Sequence, residues 1–281
     1  MSALQSRIES LLAAPAGESL PADAPAAVEA LLTALESGEV RAAERDGDGR
    51  WRAVPWVKRG ILLGFRAGRI VDMSPADGSP FSFLDKDTYP TQRISVERGV
   101  RVVPGGSTIR RGAYVARGVV CMPPMYVNVG AWVGEGTMID SHALVGSCAQ
   151  VGARVHLSAA AQLGGVLEPV NASPVVLEDE VFVGGNCGVY EGTVVRERAV
   201  LAAGVILTRG VPVYDLVHER VLRAATESPL EIPAGAVVVP GSRAVRGAWA
   251  AEQGLSMYAP MIVKYRDAGT DAATALEEGL R

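Results

Sequence analysis

The apolar residues of this chain recur every six positions over a long central stretch. From Ile109 to Leu163, the first residue of each six-residue block is aliphatic or a cysteine. The pattern pauses through Pro169–Val176 and then continues in sixes from Leu177 to Leu207. A six-residue period of this length is typical of a parallel β-helix built from hexapeptide repeats.

Each block of such a helix forms one short strand and a corner, and three blocks form a triangular coil of about 18 residues. The first and fifth residues of a block point into the prism, and the other positions lie at corners or point outward. Successive coils stack at roughly 4.8 Å, and no single coil can bury its own apolar face. We therefore predict a mainly β protein with a left-handed parallel β-helix over residues 99–216.

The residues before this prism show the spacing of amphipathic helices. Apolar residues fall on one helical face over 2–14, 26–37 and 56–65, the last of which is a helix or a helix followed by a strand. Short strands are predicted at Val40–Ala43 and Trp51–Val54, and an irregular segment at 66–95. Residues 1–98 are thus expected to form a small α-rich N-terminal domain.

The residues after the prism, 217–281, are expected to form a short extension. A polar excursion is predicted at Glu219–Ser228, strands at Ile232–Val239 and Leu255–Tyr265, and a terminal helix at Thr270–Leu280.

Composition agrees with a narrow prism and excludes several classes of function. The 281 residues are 48% hydrophobic but only 5% aromatic, which suits a core of Val, Leu, Ile and Ala. The net charge of −4, without a run of five like charges, gives no sign of a nucleic-acid or membrane partner. Neither an apolar segment of 18 residues nor a signal-peptide pattern is present, so a cytoplasmic location is expected.

The three cysteines predict no disulfide framework and no zinc site. Cys121 and Cys187 occupy inward positions of the repeat, where a thiol acts as a small apolar side chain. Cys148 falls outside the prism, at a fourth position. A reducing compartment is the expected environment.

Several segments carry a resemblance to a known family, over nearly the whole length of the chain. They are Trp56–Arg59, Leu62–Leu63, Phe65–Arg66, Arg101–Pro104, Tyr126–Asn128, Glu135–Asp140, Val145–Gln150, Val155–Ser158, Gly164–Pro169, Val237–Val239 and Ile262–Lys264. In these segments the chain resembles the tetrahydrodipicolinate N-succinyltransferases. Other hexapeptide-repeat proteins share the period but not Gly164–Pro169 or the N-terminal domain.

This resemblance implies an acyltransferase of lysine and diaminopimelate biosynthesis. Succinyl-CoA would be the co-substrate, with no permanently bound cofactor, and the products would be N-succinyl-2-amino-6-oxopimelate and CoA. The resemblance also implies a homotrimer with active sites between subunits, in which the loop Pro169–Val176 would cover a neighbour's groove.

The family's substrate-binding residues correspond to Arg101 and Asp140. A guanidinium group can hold a carboxylate of the dicarboxylate acceptor through two hydrogen bonds. Asp140 is the second residue of its block and points outward, where it could accept a proton from the attacking amine. Arg110 is a further candidate for the second carboxylate.

One position departs from the family pattern. The family has a second catalytic acid, a glutamate, where this chain has Gly188. Asp140 therefore works alone, or Glu191, Tyr190 or His142 takes the missing role. His142 lies outward and two residues from Asp140, and histidine is a natural base at neutral pH.

Late outward positions are the candidates for CoA contacts. These are Ala203, Gly204, Gly241 and Ser242, with Lys264 or Arg243 expected near the CoA phosphates.

Three other interpretations remain at the level of sequence. One is an acetyl-CoA-dependent relative that acts on the same or a related amine, and another is a catalytically silent paralogue. The third, a zinc-binding β-helix protein, requires three converging histidines. Only His142 and His156 lie in the predicted prism, and His156 is expected at a corner.

Overall fold

The computed structural model describes residues 2–13, 20–76, 80–226 and 228–274, with only the backbone described for 272–274. Three helices form the N-terminal domain: α1 (Ala3–Leu12), α2 (Ala24–Ser37) and α3 (Pro55–Ala67). The Ser2 hydroxyl caps α1 by accepting a hydrogen bond from the Gln5 backbone N–H at 3.1 Å. The three predicted helices are confirmed within the described residues, and position 14 lies outside them.

Two small hairpins accompany these helices. Ala43–Arg45 pairs antiparallel with Trp51–Ala53, close to the predicted strands. Ile70–Asp72 pairs with Leu84–Lys86, so the prediction that 66–95 is irregular was wrong there. The sequence gives no strand signal in this hairpin because Ile70 and Leu84 are 63% and 67% exposed, so no alternation of buried and exposed residues marks it.

The hexapeptide region folds into a prism with three parallel faces, which confirms the predicted β-helix. The first face contains Tyr114–Val115, Trp132–Val133, Gln150–Val151, Val176–Leu177, Val194–Val195 and Glu231–Ile232. The second contains Arg101–Val102, Val120–Cys121, Met138–Ile139, His156–Leu157, Phe182–Val183, Val200–Leu201 and Ala236–Val239. The third contains Thr108–Ile109, Tyr126–Val127, Leu144–Val145, Gln162–Leu163, Gly188–Val189 and Ile206–Leu207.

The interruption of the period leaves the stacking intact. Gln150 pairs directly with Val176 on the first face, although twenty-five residues separate them in sequence. Residues 164–175 therefore leave the prism as a loop and return in register. The inward residues Val145, Leu157 and Leu163 on the neighbouring coils are fully buried.

A non-repeating segment closes the first coil, and we call residues 91–99 the end plug. The Gln92 side-chain amide donates to the carbonyls of Arg110 and Ala113 at 3.0 and 2.7 Å. The Arg98 guanidinium donates to the Val115 carbonyl at 3.1 Å. Because these side chains satisfy carbonyls at the open end of the stack, no further coil is needed below it.

At the other end of the prism, the second face is extended by strands that pair in both directions, with Met261–Tyr265 parallel to Val213–Asp215 and antiparallel to Ala236–Val239. Val213–Asp215 also pairs antiparallel with Arg220–Leu222. The predicted polar excursion thus contains a strand. A strand along the whole of Leu255–Tyr265 was a wrong prediction, because the chain breaks at Ala259-Pro260.

The remaining C-terminal elements flank this end. They are the hairpin Ser242–Ala244 with Ser256–Tyr258, α4 (Ala248–Glu252) and α5 (Ala268–Thr274). Positions 275–280 of the predicted terminal helix lie outside the described residues.

The N-terminal domain docks on the first face and on the corner beside it. Cys148 points away from the prism, as predicted, but it is fully buried in a second core with Leu31 and Ile61. The Arg41 guanidinium lies 5.1 Å from the Trp51 ring and 4.1 Å from the Trp132 ring, and burial lowers its pKa to about 10. This sandwich joins a residue of the N-terminal hairpin to one of the prism.

A buried carboxylate, Glu178, reinforces the same junction. It accepts hydrogen bonds from Trp51 Nε1 at 2.9 Å, from Arg45 at 2.8 Å and from Arg196 at 2.9 Å. We call Glu178 and these three partners the Glu178 clamp.

Candidate active site

The corners that join the second face to the third stack into one continuous edge, which we call the Asp140 edge. Its corners are residues 122–125, 140–143, 158–161, 184–187 and 202–205. Asp140 follows the second-face strand Met138–Ile139 and is partly exposed. One oxygen of its carboxylate accepts the Ser141 backbone N–H at 2.7 Å, which fixes the side chain and leaves the other oxygen available.

His142 lies at the same corner, with its side chain exposed. Its backbone is held in the left-handed region at φ 62°, where its N–H donates to Pro124 and its carbonyl accepts from the Gln162 amide. The corner geometry is therefore set by backbone contacts, and the imidazole is free to face a ligand.

The candidate CoA positions continue along this edge toward the C-terminal end. Ala203 and Gly204 occupy the corner after Val200–Leu201, and Gly241 follows the strand Ala236–Val239. A Cβ atom on Gly184 would lie 2.5 Å from the Ala203 backbone nitrogen, and one on Gly241 would lie 2.7 Å from the Ala259 carbonyl oxygen. Small residues are required at Gly184 and Gly241 because neighbouring backbone packs directly against them.

The cationic candidates differ in how far they are already engaged. Arg101 lies exposed on the second face, at the start of the prism. Arg110 is an ion-pair partner of Asp85, and its guanidinium lies over the rings of Phe65 and Tyr89 at 5.4 and 5.2 Å. Lys264 forms an ion pair with Asp267 at 3.2 Å. Arg101 and Lys264 are thus exposed to solvent, whereas Arg110 is partly buried.

Glu191 does not lie on the Asp140 edge. It follows the third-face strand Gly188–Val189, so it belongs to the next edge of the triangle. Its carboxylate accepts the Arg209 backbone N–H at 2.8 Å. Asp140 and Glu191 of a single chain therefore cannot form one carboxylate pair.

Tyr190 occupies the space outside Gly188. A Cβ atom built on Gly188 would lie 2.4 Å from the Tyr190 ring and 2.9 Å from its hydroxyl oxygen. A Cβ atom on Gly164, one coil away, would lie 2.7 Å from the same ring. The spacing of 188 and 190 places both residues on the outward side of the strand, but it does not reveal that the ring folds back over the glycine.

The predicted loop Pro169–Val176 contacts the N-terminal domain of its own chain at Ala172, whereas its last residues, Val175 and Val176, already belong to the prism. The Lys58 amine is buried and donates to the Ala172 carbonyl at 2.5 Å. Burial lowers the pKa of this amine. Sequence reasoning missed Lys58, which stands in the Trp56–Arg59 motif and ties that motif to the loop.

The histidines do not converge. His156 lies on a second-face strand and stacks on Phe182 at 4.9 Å between ring centroids, so its prediction as a corner residue was wrong. His218 is bonded to Asp215 at the far end of the prism. Within residues 2–13, 20–76, 80–226 and 228–274, no group of three or more His, Cys, Asp or Glu side chains is arranged to hold a metal ion. Across the same residues, no helix has the length and apolar character needed to cross a membrane.

The prism and its small-residue edge define a hexapeptide-repeat transferase, and residues 174–209 match the family profile described as "Hexapeptide repeat of succinyl-transferase". Residues 3–67 match a second profile, "Tetrahydrodipicolinate N-succinyltransferase N-terminal". The chain belongs to the tetrahydrodipicolinate N-succinyltransferase family.

Curated relatives agree with this placement. The 2,3,4,5-tetrahydropyridine-2,6-dicarboxylate N-succinyltransferase of Polynucleobacter asymbioticus is 43% identical, over 94% of this chain and 92% of the relative. The protein of the same name from Acinetobacter baylyi is 41% identical, over 93% and 91%. A hexapeptide transferase family protein from Anaplasma phagocytophilum shares 16% identity at a TM-score of 0.41, over 62% of this chain and 80% of that one.

Proposed function

We propose that this protein transfers the succinyl group of succinyl-CoA to the amine derived from tetrahydrodipicolinate, in the biosynthesis of diaminopimelate and lysine. The observation that carries the proposal is the 43% identity with a named succinyltransferase over 94% of the chain, N-terminal domain included. The Asp140 edge supports it, because this edge combines an outward carboxylate with small corner residues that are exposed or partly exposed.

In the proposed reaction, the acceptor is a ring-opened amine with two carboxylates. Arg101 holds one carboxylate, and the free oxygen of Asp140 accepts a proton from the amine as its nitrogen attacks the thioester carbon. The C–N bond forms, the C–S bond breaks, and CoA leaves as a thiol after taking up the proton. His142, at the same corner, is the alternative base.

The pantetheine arm is proposed to lie along the Asp140 edge at Ala203, Gly204 and Gly241. Ser242 would lie at the end of the arm. Backbone groups there can bond to the amides of the arm. Lys264 lies on the adjoining strand and can meet a CoA phosphate after exchanging its exposed partner Asp267.

We propose a homotrimer, located in the cytoplasm, with each active site between two prisms. Asp140 and Tyr190 of one chain lie at opposite ends of third-face strands and two coils apart, which is about 10 Å along the prism axis. We therefore propose that the Asp140 and the Tyr190 that face one substrate come from two different chains. A trimer of 29.4 kDa chains has a mass of about 88 kDa, which light scattering would measure.

The direct test is thiol release from succinyl-CoA and from acetyl-CoA, each with and without tetrahydrodipicolinate. Release that needs both succinyl-CoA and the acceptor is the expected result. A preference for acetyl-CoA would identify this protein as a relative that uses a different acyl donor. The glycine at position 188 is the observation that motivates this alternative. No release from either donor would identify a silent paralogue.

The role of Asp140 is tested by Asp140→Asn, which keeps the shape of the side chain and its bond to Ser141. We expect kcat to fall about 100- to 10,000-fold, since general-base catalysis typically contributes that much. Asp179→Asn is the matched control, because Asp179 is a corner aspartate on a different edge that also accepts a backbone N–H, from Ala153 at 2.8 Å. Full activity of Asp140→Asn would show that another residue acts as the general base.

A further inference from the structure

The side chain of Tyr190 is held by two glycines on the third face. Position 188 and position 164 both lack a Cβ atom, and in each case that atom would overlap the tyrosine ring, at 2.4 and 2.7 Å. A side chain at either position would displace the ring. The pair of glycines therefore forms a cradle for this one aromatic residue, and the cradle fixes where its hydroxyl group lies.

Among the described residues, the hydroxyl groups of three tyrosines are hydrogen-bonded, and those of Tyr114, Tyr126, Tyr190 and Tyr214 are not. Tyr89 donates to the Ile61 carbonyl at 2.5 Å, Tyr258 accepts the Ile206 N–H at 2.7 Å, and Tyr265 donates to Asp215 at 2.9 Å. Tyr190 is half-buried, and within the described part of the chain its hydroxyl makes no hydrogen bond. A fixed ring with an unused donor is suited to a ligand.

The position of this hydroxyl connects it with the proposed chemistry. Its oxygen lies 2.9 Å from where the Cβ atom of residue 188 would be, so it takes up the volume into which a longer side chain at 188 would project. The family resemblance places a catalytic acid at 188. The phenol thus brings a polar group to the space from which the carboxylate has been lost.

We propose that the Tyr190 hydroxyl replaces this acid by donating a hydrogen bond to the thioester carbonyl oxygen of the acyl donor. This inference rests on the proposed succinyl transfer. As the amine nitrogen bonds to the thioester carbon, the C=O electron pair moves to the oxygen, and Tyr190 stabilises that oxyanion without losing its proton. When the C–S bond breaks, the pair returns, and the amine proton passes through Asp140 to the CoA sulfur.

The test compares Tyr190→Phe with the wild-type enzyme by steady-state kinetics. The phenylalanine keeps the ring in its cradle and removes only the donor, so we expect an unchanged melting temperature. We expect kcat to fall about 10- to 100-fold, with KM for succinyl-CoA within a factor of about two, since the bond strengthens in the transition state. Tyr214→Phe, on the terminal hairpin, is the matched control and is expected to keep wild-type kcat.

A second pair of variants separates the hydroxyl from the ring. Gly188→Glu alone places a side chain where the Tyr190 ring lies and is expected to lower kcat below that of Tyr190→Phe. Gly188→Glu combined with Tyr190→Val restores a carboxylate at position 188 and removes the ring that would overlap it. We expect the double variant to regain at least ten times the kcat of Tyr190→Phe and to show a new acidic limb in its pH profile.

Two outcomes would overturn the inference. One is a Tyr190→Phe enzyme with wild-type kcat, and the other is a double variant with neither recovered turnover nor an altered pH profile. Either result leaves the proposed function standing as long as the wild-type enzyme transfers succinyl groups and Asp140→Asn does not. Absence of transfer by the wild-type enzyme would instead refute the proposed function.

Discussion

At the scale of single residues, Asp215 is the most heavily bonded carboxylate outside the active site. Its side chain is fully buried, and it accepts hydrogen bonds from His218, Arg220 and Tyr265, each at 2.9 Å. Burial alone would raise the pKa of this carboxyl, but the three hydrogen bonds outweigh it and lower the pKa from 3.8 to about 2. Asp215 thereby joins the terminal hairpin to the strand Met261–Tyr265.

We predict that Asp215→Asn destabilises the folded protein by about 2 kcal/mol at pH 7, because the amide cannot accept all the hydrogen bonds that His218, Arg220 and Tyr265 donate to the buried carboxylate. Denaturant unfolding followed by circular dichroism measures this change. A loss below about 1 kcal/mol would show that the three bonds add little to stability.

The pH dependence of this effect has a definite sign. Because the pKa of Asp215 is lower in the folded state, its contribution is complete above about pH 4 and disappears as the pH falls toward 2. It amounts to roughly 2 kcal/mol. The unfolding curves of wild type and Asp215→Asn are therefore expected to converge by pH 2, and a difference that persists there would contradict the assignment.

Single residues also mark a limit of sequence reasoning. The position of Asp140 within its six-residue block predicts an outward side chain at a corner. In the structure Asp140 lies at a corner and is partly exposed. The same counting places Tyr190 outward, but it does not fix the side-chain torsions, which depend on the neighbours at 164 and 188.

At the scale of elements, the Glu178 clamp holds the hairpin 43–53 on the prism. Its carboxylate is 6% exposed and serves partners from both domains. Arg196 has a second acceptor in Glu231, whereas Trp51 Nε1 bonds only to Glu178 within the described residues. Loss of the carboxylate should therefore release the hairpin before it disturbs the prism.

We predict that Glu178→Gln speeds amide hydrogen exchange in residues 43–53 at least tenfold, while residues 194–201 stay protected. An amide presents only one acceptor atom and turns a donor toward arginine, which costs about 2 kcal/mol. Glu180→Gln is the control: Glu180 is 38% exposed and pairs at the surface with Arg154, so a change under about 1 kcal/mol is expected. Equal exchange rates of residues 43–53 in both variants would show that the Glu178 clamp does not hold the hairpin on the prism.

Elements were predictable where burial is periodic. The prism strands follow from the six-residue repeat, since every inward residue is under the same packing constraint. The hairpin formed by Ile70–Asp72 and Leu84–Lys86 was missed because its apolar residues are exposed. The docking of the N-terminal domain depends on pairs such as Arg41 and Trp132, which are far apart in sequence and carry no local signal.

At the scale of the whole molecule, the proposed active site between two chains has a consequence for mixed assemblies. Chains with Asp140→Asn lack the base but keep Tyr190, and chains with Tyr190→Phe have the reverse. In a randomly mixed cyclic trimer, about a quarter of the interfaces join an intact Asp140 to an intact Tyr190.

We predict that co-expression of these two variants gives mixed trimers with about a third of wild-type activity, well above either parent, because each mixed trimer has one such interface in three. Differential tags allow the mixed trimers to be isolated, and turnover per trimer is the measurement. Simple mixing of the purified parents, without subunit exchange, is the control and should stay at the parental level. Activity equal to the mean of the parents would place both groups within one chain.

The end plug limits the directions in which these molecules can associate. A stack of identical coils could in principle add another chain at its open end, strand on strand, and grow into a fibre. Gln92 and Arg98 occupy carbonyls that such a chain would need beside the first face, and the terminal strands cover the opposite end of the second face. Self-association is thereby directed to the flanks of the prism. The end plug, which opposes end-to-end growth, thus also favours the side-by-side contact that the proposed shared active site requires.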